Sequence, residues 1–176
     1  MGRTRTVDRE QLLDAAEAII ETSGAAGLTI DAVAKAVGIS KGGVQYCFGN
    51  KDALVDALFT RWGASYDRLF AQTMAGSTDP VDAVRAHVAA TRRTDEASAK
   101  SASLLAALAQ TPEHLVSTRK WYRERIAKLD TTTPEGKRAR LAFLATEGAF
   151  MLRFFGFMDV DEAEWESMFD DLQQLL

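Results

Sequence analysis

The sequence predicts an all-α fold of about nine helices. Apolar residues recur at three- and four-residue spacings through most of the chain, and all three prolines directly follow a helix-capping residue, in Asp79-Pro80, Thr111-Pro112 and Thr133-Pro134. No segment shows the strict alternation or β-branched density of a strand. With 176 residues the chain can bury a sufficient core without covalent staples. Its single cysteine, Cys47, has no partner for an internal bridge, and this points to a reducing cytoplasm.

Asp8 is placed to cap a first helix running to about Ser23, with Gln11 in the capping-box position and Leu12, Leu13, Ala16, Ile19 and Ile20 as its buried stripe. Gly24 and Gly27 then release the chain. Thr29 caps a short second helix and Gly38 closes it, because only a residue without Cβ takes the left-handed conformation there at no cost. Ser40 caps the third. Ala34 is small where two helices must cross, and Ile30, Val33, Val37, Ile39 and Val44 wedge the pair onto a common core. Capped helix, tight turn and capped helix within two dozen residues form a helix-turn-helix.

Asn50 caps a long fourth helix, apolar at Leu54, Val55, Leu58, Phe59, Trp62, Tyr66, Leu69 and Phe70, that ends near Gly76. Asp79-Pro80 starts a fifth helix with Val81, Val84 and Val88 inward, and a sixth follows from about Ala97 to Gln110. Thr111-Pro112 and Thr133-Pro134 open helices over roughly 112–129 and 134–156, and Asp161 with Glu164 makes a capping box before the last. The eighth helix has two apolar faces. Leu141, Leu144, Gly148, Met151, Leu152 and Phe155 lie on one side; Phe143, Phe150, Phe154 and Phe157 lie opposite. One core cannot cover both, and the last helix adds Trp165, Met168, Phe169, Leu172 and Leu175 along one stripe, so a subunit interface is expected here.

The order Leu28-Thr29-Ile30, Ala34 to Gly38-Ile39-Ser40, Lys41-Gly42-Gly43-Val44 with Tyr46 and Phe48, and Asn50-Lys51 with Leu54 resembles the TetR (tetracycline-repressor-like) family of bacterial transcription regulators. The specific part covers roughly residues 7 to 60. The resemblance implies a DNA-binding domain over residues 1–50 and a helical effector-binding and dimerisation domain over 51–176. It further implies a homodimer formed through the last two helices, a palindromic double-stranded DNA operator, and a small-molecule effector that releases a repressor from it. A ligand-independent or activating regulator of the same fold is the alternative. Cys47 departs from the family, which most often has a histidine there near the DNA backbone.

Charge agrees once it is divided. The net charge of −4 arises downstream, since residues 1–51 carry 6 Lys/Arg and 6 Asp/Glu against 15 and 19 in residues 52–176. Lys35, Lys41 and Lys51 sit in or beside the reading head, whereas most nearby acids fall on the first helix. The DNA-contacting set is Thr29, Ser40, Lys41, Gly43, Gln45, Tyr46 and Lys51. Thr29, Tyr46 and Lys51 suit phosphate, as the matching family positions do; Gln45 can pair bidentately with adenine, and Lys41 can reach guanine acceptors. Arg3 and Arg5 form a polar arm suited to a minor groove.

An effector pocket is expected from Trp62, Tyr66, Phe70, Leu104, Leu108, Trp121, Tyr122, Glu147 and Phe150, with His87, His114 and Arg125 nearby. Glu147 shares a face with Phe143, Phe150 and Phe154. An acid there either attracts a cationic or hydrogen-bonding ligand or pairs with an arginine such as Arg153 or Arg85. Catalysis is not expected: no nucleophile elbow, metal-spaced Cys/His set or phosphate-cradling glycine loop is present, and 26 residues separate the two histidines. No cofactor is expected. The longest apolar run, residues 142–152, is interrupted by Glu147 and too short to span a bilayer, so no membrane association is expected.

Overall fold

The computed structural model describes residues 8–93, 96–108 and 115–176, which hold nine helices and no strand. Arg3, Arg5, the Thr111-Pro112 start signal and His114 lie outside the described residues. The chain divides into two compact units, one comprising the described residues up to Arg61 with 104–108, the other comprising the described residues within 62–103 and 115–176.

The first unit opens with α1 (Arg9–Gly27), capped by Asp8, whose carboxylate accepts from the Glu10 N–H at 3.0 Å. Gly24 stands at φ 68°, ψ 175°, so the regular helix gives way there, as the glycine pair predicts, although α-helical bonding resumes to Gly27. The helices α2 (Ile30–Val37) and α3 (Lys41–Phe48) follow. Leu12, Leu13, Leu28, Val33, Val44, Leu54 and Leu58 are fully buried and knit α1, α2, α3 and the start of α4 (Lys51–Met74) together. On the rim, Arg61 of α4 meets three acids of α1: Asp14 at 2.6 Å, Glu17 at 3.2 Å and Glu10 at 3.9 Å. The hydrogen bond to Asp14 is the main reason its guanidinium holds its proton even more firmly than usual. Three acids of the first helix thus have an intramolecular partner.

α4 ends where Ala75 and Gly76 both take positive φ. In the second unit α5 (Pro80–Arg92) packs on α7 (Val116–Ile126), α8 (Pro134–Phe154) and α9 (Glu162–Gln174). Val84, Val88, Phe143, Trp165 and Phe169 fill the core. The Trp165 indole N–H donates to the Arg92 carbonyl at 2.9 Å, and the Arg92 guanidinium reaches Glu166 and Asp170 on the same helix. Caps match the reading of the residues: Asp79, Thr133 and Asp161 each accept from the first turn of their helix. Gly136 is required by packing, since a Cβ there would lie 2.0 Å from the Asp130 carbonyl oxygen.

Two boundaries differ from expectation. α7 begins at Val116 with no side-chain cap, and ends at Ile126, shorter than the 112–129 span. α8 stops at Phe154, and Gly156 at φ 72° reverses the chain, so Phe157 leaves the inner stripe and is 73% exposed. α6 (Glu96–Leu108) lies close to the expected range.

Candidate functional site

The reading head is built by two caps. Thr29 Oγ1 accepts from the Ala32 N–H at 3.0 Å, and Ser40 Oγ accepts from the Gly43 N–H at 3.2 Å. In both cases a lone pair serves the helix and the hydroxyl hydrogen stays free to donate outward. Gly38, at φ 73°, turns the chain so that its N–H bonds back to Ala34 and Lys35. Val44 and Phe48 then face the core, which obliges Lys41, Gln45 and Tyr46 to face solvent. Tyr46 is 91% exposed.

A wholly exposed tyrosine beside an exposed glutamine, lysine, serine and threonine is a surface with hydroxyl, amide and cationic donors. Asn50 accepts from the Ala53 N–H at 2.9 Å and so opens α4, with half-buried Lys51 at its first position. Gly43 is half-buried, and a Cβ there would sit 3.2 Å from Ile39 Cδ1. Cys47 is half-buried as a free thiol. The expected set is therefore brought to one end of the first unit, with Lys41 already engaged by Asp31 at 3.2 Å.

The second unit carries an aromatic and ionisable cluster. Tyr66 and Phe70 come from α4, His87 from α5, Trp121, Tyr122 and Arg125 from α7, and Phe143 and Glu147 from α8. Tyr66 Oη lies 2.8 Å from His87 Nδ1; Tyr122 donates to Glu147 Oε2 at 2.9 Å. His87, only 1% exposed, brings Nε2 within 2.9 Å of Glu147 Oε1, but off the axis of a well-formed hydrogen bond, so this is a close polar contact rather than an aligned bond. Burial pushes the Tyr66 phenol up, partly offset by the Arg125 charge, and burial together with Glu147 pushes Tyr122 up, so both phenols hold their protons more firmly than usual.

Rings surround this relay. His87 and Phe143 have centroids 4.7 Å apart, and Trp121 meets Tyr122 edge-on at 5.1 Å. The Arg125 guanidinium lies 4.4 Å from the Phe70 centroid, 4.6 Å from Trp121 and 5.8 Å from Tyr66. Of the expected pocket residues, Tyr66, Phe70, Trp121, Tyr122 and Glu147 thus converge. Trp62 is buried at the start of the second unit, Leu104 and Leu108 belong to the first, and Phe150 meets Phe154 at a tilt with centroids 4.8 Å apart.

Glu147 pairs with neither Arg153 nor Arg85: Arg153 binds Glu162 at 3.0 Å and Arg85 binds Asp82 and the Leu176 carbonyl. His87, expected near the pocket and beside an apolar helix face, is a full member of the cluster. Its place between Val84 and Val88 on the inward stripe is the signal for it.

On α8 and α9 a groove of about 470 Å³ is lined by Gly148, Leu152, Met158, Met168 and Leu175 among others. Leu141 and Leu144, on the same helix, are 59% and 54% exposed. Among the described residues no helix is long and apolar enough to cross a membrane, and no group of three or more His, Cys, Asp or Glu residues is arranged to hold a metal ion.

Comparison with known proteins places both units. The family model for bacterial regulatory proteins of the tetR family matches residues 12–58, and that for the tetracyclin repressor-like C-terminal domain matches residues 81–176. The HTH-type transcriptional regulator BetI of Paraburkholderia phytofirmans is 37% identical over 91 residues, 49% of this chain and 45% of that protein. BetI of Burkholderia ambifaria is 36% identical over the same length, with the same shares of both chains. The chain spans about half the length of the curated relatives it matches.

Among solved structures, the multidrug binding protein EbrR complexed with imidazole has a TM-score of 0.63 at 20% identity, covering 96% of this chain and 94% of that one. A TetR-like transcriptional regulator from Rhodococcus sp. RHA1 gives 0.61 at 21%, covering 99% and 96%. These two share the fold. With matched models over the reading head and over more than half of the chain beyond it, the protein belongs to the TetR family of bacterial regulatory proteins.

Proposed function

We propose that this chain is one subunit of a homodimeric cytoplasmic transcriptional repressor that reads a palindromic duplex operator and leaves it when a small effector occupies the second unit. The observation that carries the reading is the outward face of α3, where Lys41, Gln45 and a 91% exposed Tyr46 stand on a helix whose other side is locked into a core. Lys41 and Gln45 read base edges. Thr29, Ser40, Tyr46 and Lys51 hold phosphates, and Gly43 lets the backbone come close. Two such heads engage half-sites about 34 Å apart, one helical turn of DNA.

The surplus apolar face of α8 and α9 supports dimerisation through the last two helices. The Tyr66, Phe70, Trp121, Tyr122 and Glu147 cluster supports an effector site, to which Trp62 and Phe150 of the same unit would add apolar wall. EbrR, of the same fold, has been seen complexed with imidazole and with malachite green. Effector binding and operator binding weaken each other by the same factor.

The test is operator selection from a random duplex library, followed by measurement of mass in solution and of operator affinity during ligand screening. Equal affinity for every duplex, or a strict monomer on DNA, overturns the reading. Specific binding that no ligand alters leaves the ligand-independent regulator, and increased transcription from the bound site leaves the activator.

A further inference from the structure

We infer that the second unit takes an organic monocarboxylate, anchored by the guanidinium of Arg125 with its apolar body against Phe70 and Trp121. The inference rests on reading that unit as an effector domain, and it concerns which charge the effector carries.

The acid of the cluster is already committed. Both Glu147 oxygens face polar groups of the cluster: Oε2 accepts from the Tyr122 hydroxyl, and Oε1 lies 2.9 Å from His87 Nε2 in close contact without an aligned bond. The cation-accepting ring faces are committed too, because the Arg125 guanidinium lies over Phe70 at 4.4 Å and Trp121 at 4.6 Å. An incoming cation would meet a charge of its own sign on the faces that would otherwise attract it.

A donor on the cation is also without an acceptor. Arg125 Nε is buried with no hydrogen-bond partner among the described residues. A buried guanidinium N–H without an acceptor is costly, and a carboxylate is the group whose two oxygens match the Nε and Nη edge of the fork. Contact with the two rings holds the guanidinium in place. Arg125, Phe70 and Trp121 are each half-buried, so the cluster reaches the surface; a carboxylate engages the covered Nε by displacing the groups over it, and the rings offer apolar surface beside the anchor.

The experiment titrates the full chain, without DNA, with benzoate, phenylacetate and octanoate and with their amine counterparts benzylamine, phenethylamine and octylamine. Calorimetry and tryptophan fluorescence are the readouts, the latter because Trp121 underlies the anchor. At least one acid is expected to saturate, no amine to bind more tightly than its acid, and Arg125→Gln to weaken the acid roughly tenfold or more.

Arg125→Lys keeps the charge but not the fork, and is expected to weaken binding several-fold. It carries the comparison if the glutamine variant fails to fold. Failure of every acid to saturate, an amine binding more tightly than its acid, or parent-like affinity in the folded variant overturns the inference. Operator release by an amine alone would overturn it while keeping the ligand-responsive regulator. Carboxylate binding with no effect on operator affinity would keep the anion site and remove that regulatory reading.

Discussion

Lys41 Nζ lies 3.2 Å from Asp31 Oδ2, joining the first turn of α3 to the first turn of α2 across the helix-turn-helix. Both side chains are mostly solvent-exposed, so the pair contributes at most about 1 kcal/mol and breaks readily when a better partner arrives. Its consequence lies in binding. In the proposed reading, Asp31 neutralises the cation assigned to base edges and repels phosphate from the same edge. Asp31→Asn is expected to raise affinity for random duplex several-fold and to steepen the salt dependence, with a smaller gain on the selected operator, so specificity falls. Competition titrations at several salt concentrations check this; a uniform loss of affinity would show that Asp31 supports the head instead of restraining it.

Readers and clamps separate by the kind of DNA they affect. Gln45→Ala is expected to cost about 1–3 kcal/mol on the selected operator and little on random duplex. Lys51→Ala should weaken both alike and lower the salt slope by roughly one unit, since one phosphate contact is lost. Tyr46→Phe removes only a hydroxyl and should weaken both without changing that slope. Equal losses from Gln45→Ala on specific and random DNA would reassign it to the backbone.

Gly136 marks a site where stability is separable from recognition. A Cβ there would stand 2.0 Å from a backbone carbonyl oxygen that no rotamer change can move, and the same turn is held by the Thr133 hydroxyl donating to that oxygen at 2.9 Å. Gly136→Ala is expected to destabilise by about 1–3 kcal/mol, lowering the melting temperature by several degrees. Operator affinity of the folded protein should stay within about twofold, well below the tenfold that 1.4 kcal/mol represents. Thermal denaturation alongside titration of active protein distinguishes the two effects.

The two half-buried phenols set an alkaline limit. Tyr66 and Tyr122 are both raised above the usual tyrosine value of about 10, so the unfolded chain loses these protons first as pH rises. Their contribution to stability is fully present below about pH 10 and is lost as pH climbs toward the folded-state values. Urea midpoints measured from pH 8 to 11 should be flatter at the alkaline end for Tyr122→Phe than for the parent chain. An identical alkaline decline would mean that Tyr122 titrates alike in both states.

The reading head was legible because local chemistry specifies it. Thr29, Gly38, Ser40 and Asn50 each do in the fold what their side chains dictate within a few residues. The aromatic cluster was only half legible. Tyr66, Trp121 and Glu147 stand out as residue types, but their meeting requires four helices to converge, and spacing within one helix carries no information about its neighbours. For that reason the Glu147 partners are His87 and Tyr122 and not an arginine. Phe157 fails for a different cause: helical periodicity is extrapolated past Gly156, where the backbone has already turned.

The apolar face of α8 gives the last test. Leu144 is 54% exposed, about 100° around the helix from the core residue Phe143, so replacing it disturbs little internal packing. Leu144→Arg places a charge where a second copy is expected to bury a methyl pair, and two arginines related by a two-fold axis would face each other across that interface. The subunit should keep its helical content and its melting transition while its mass falls toward 19.2 kDa. Affinity for a single half-site should persist. Affinity for the full palindrome should drop by at least tenfold, because the second head is no longer tethered to the first at high effective concentration. Light scattering and titrations on half and full operators read both outcomes. A variant that remains dimeric with undiminished palindrome affinity would move the subunit contact off this face.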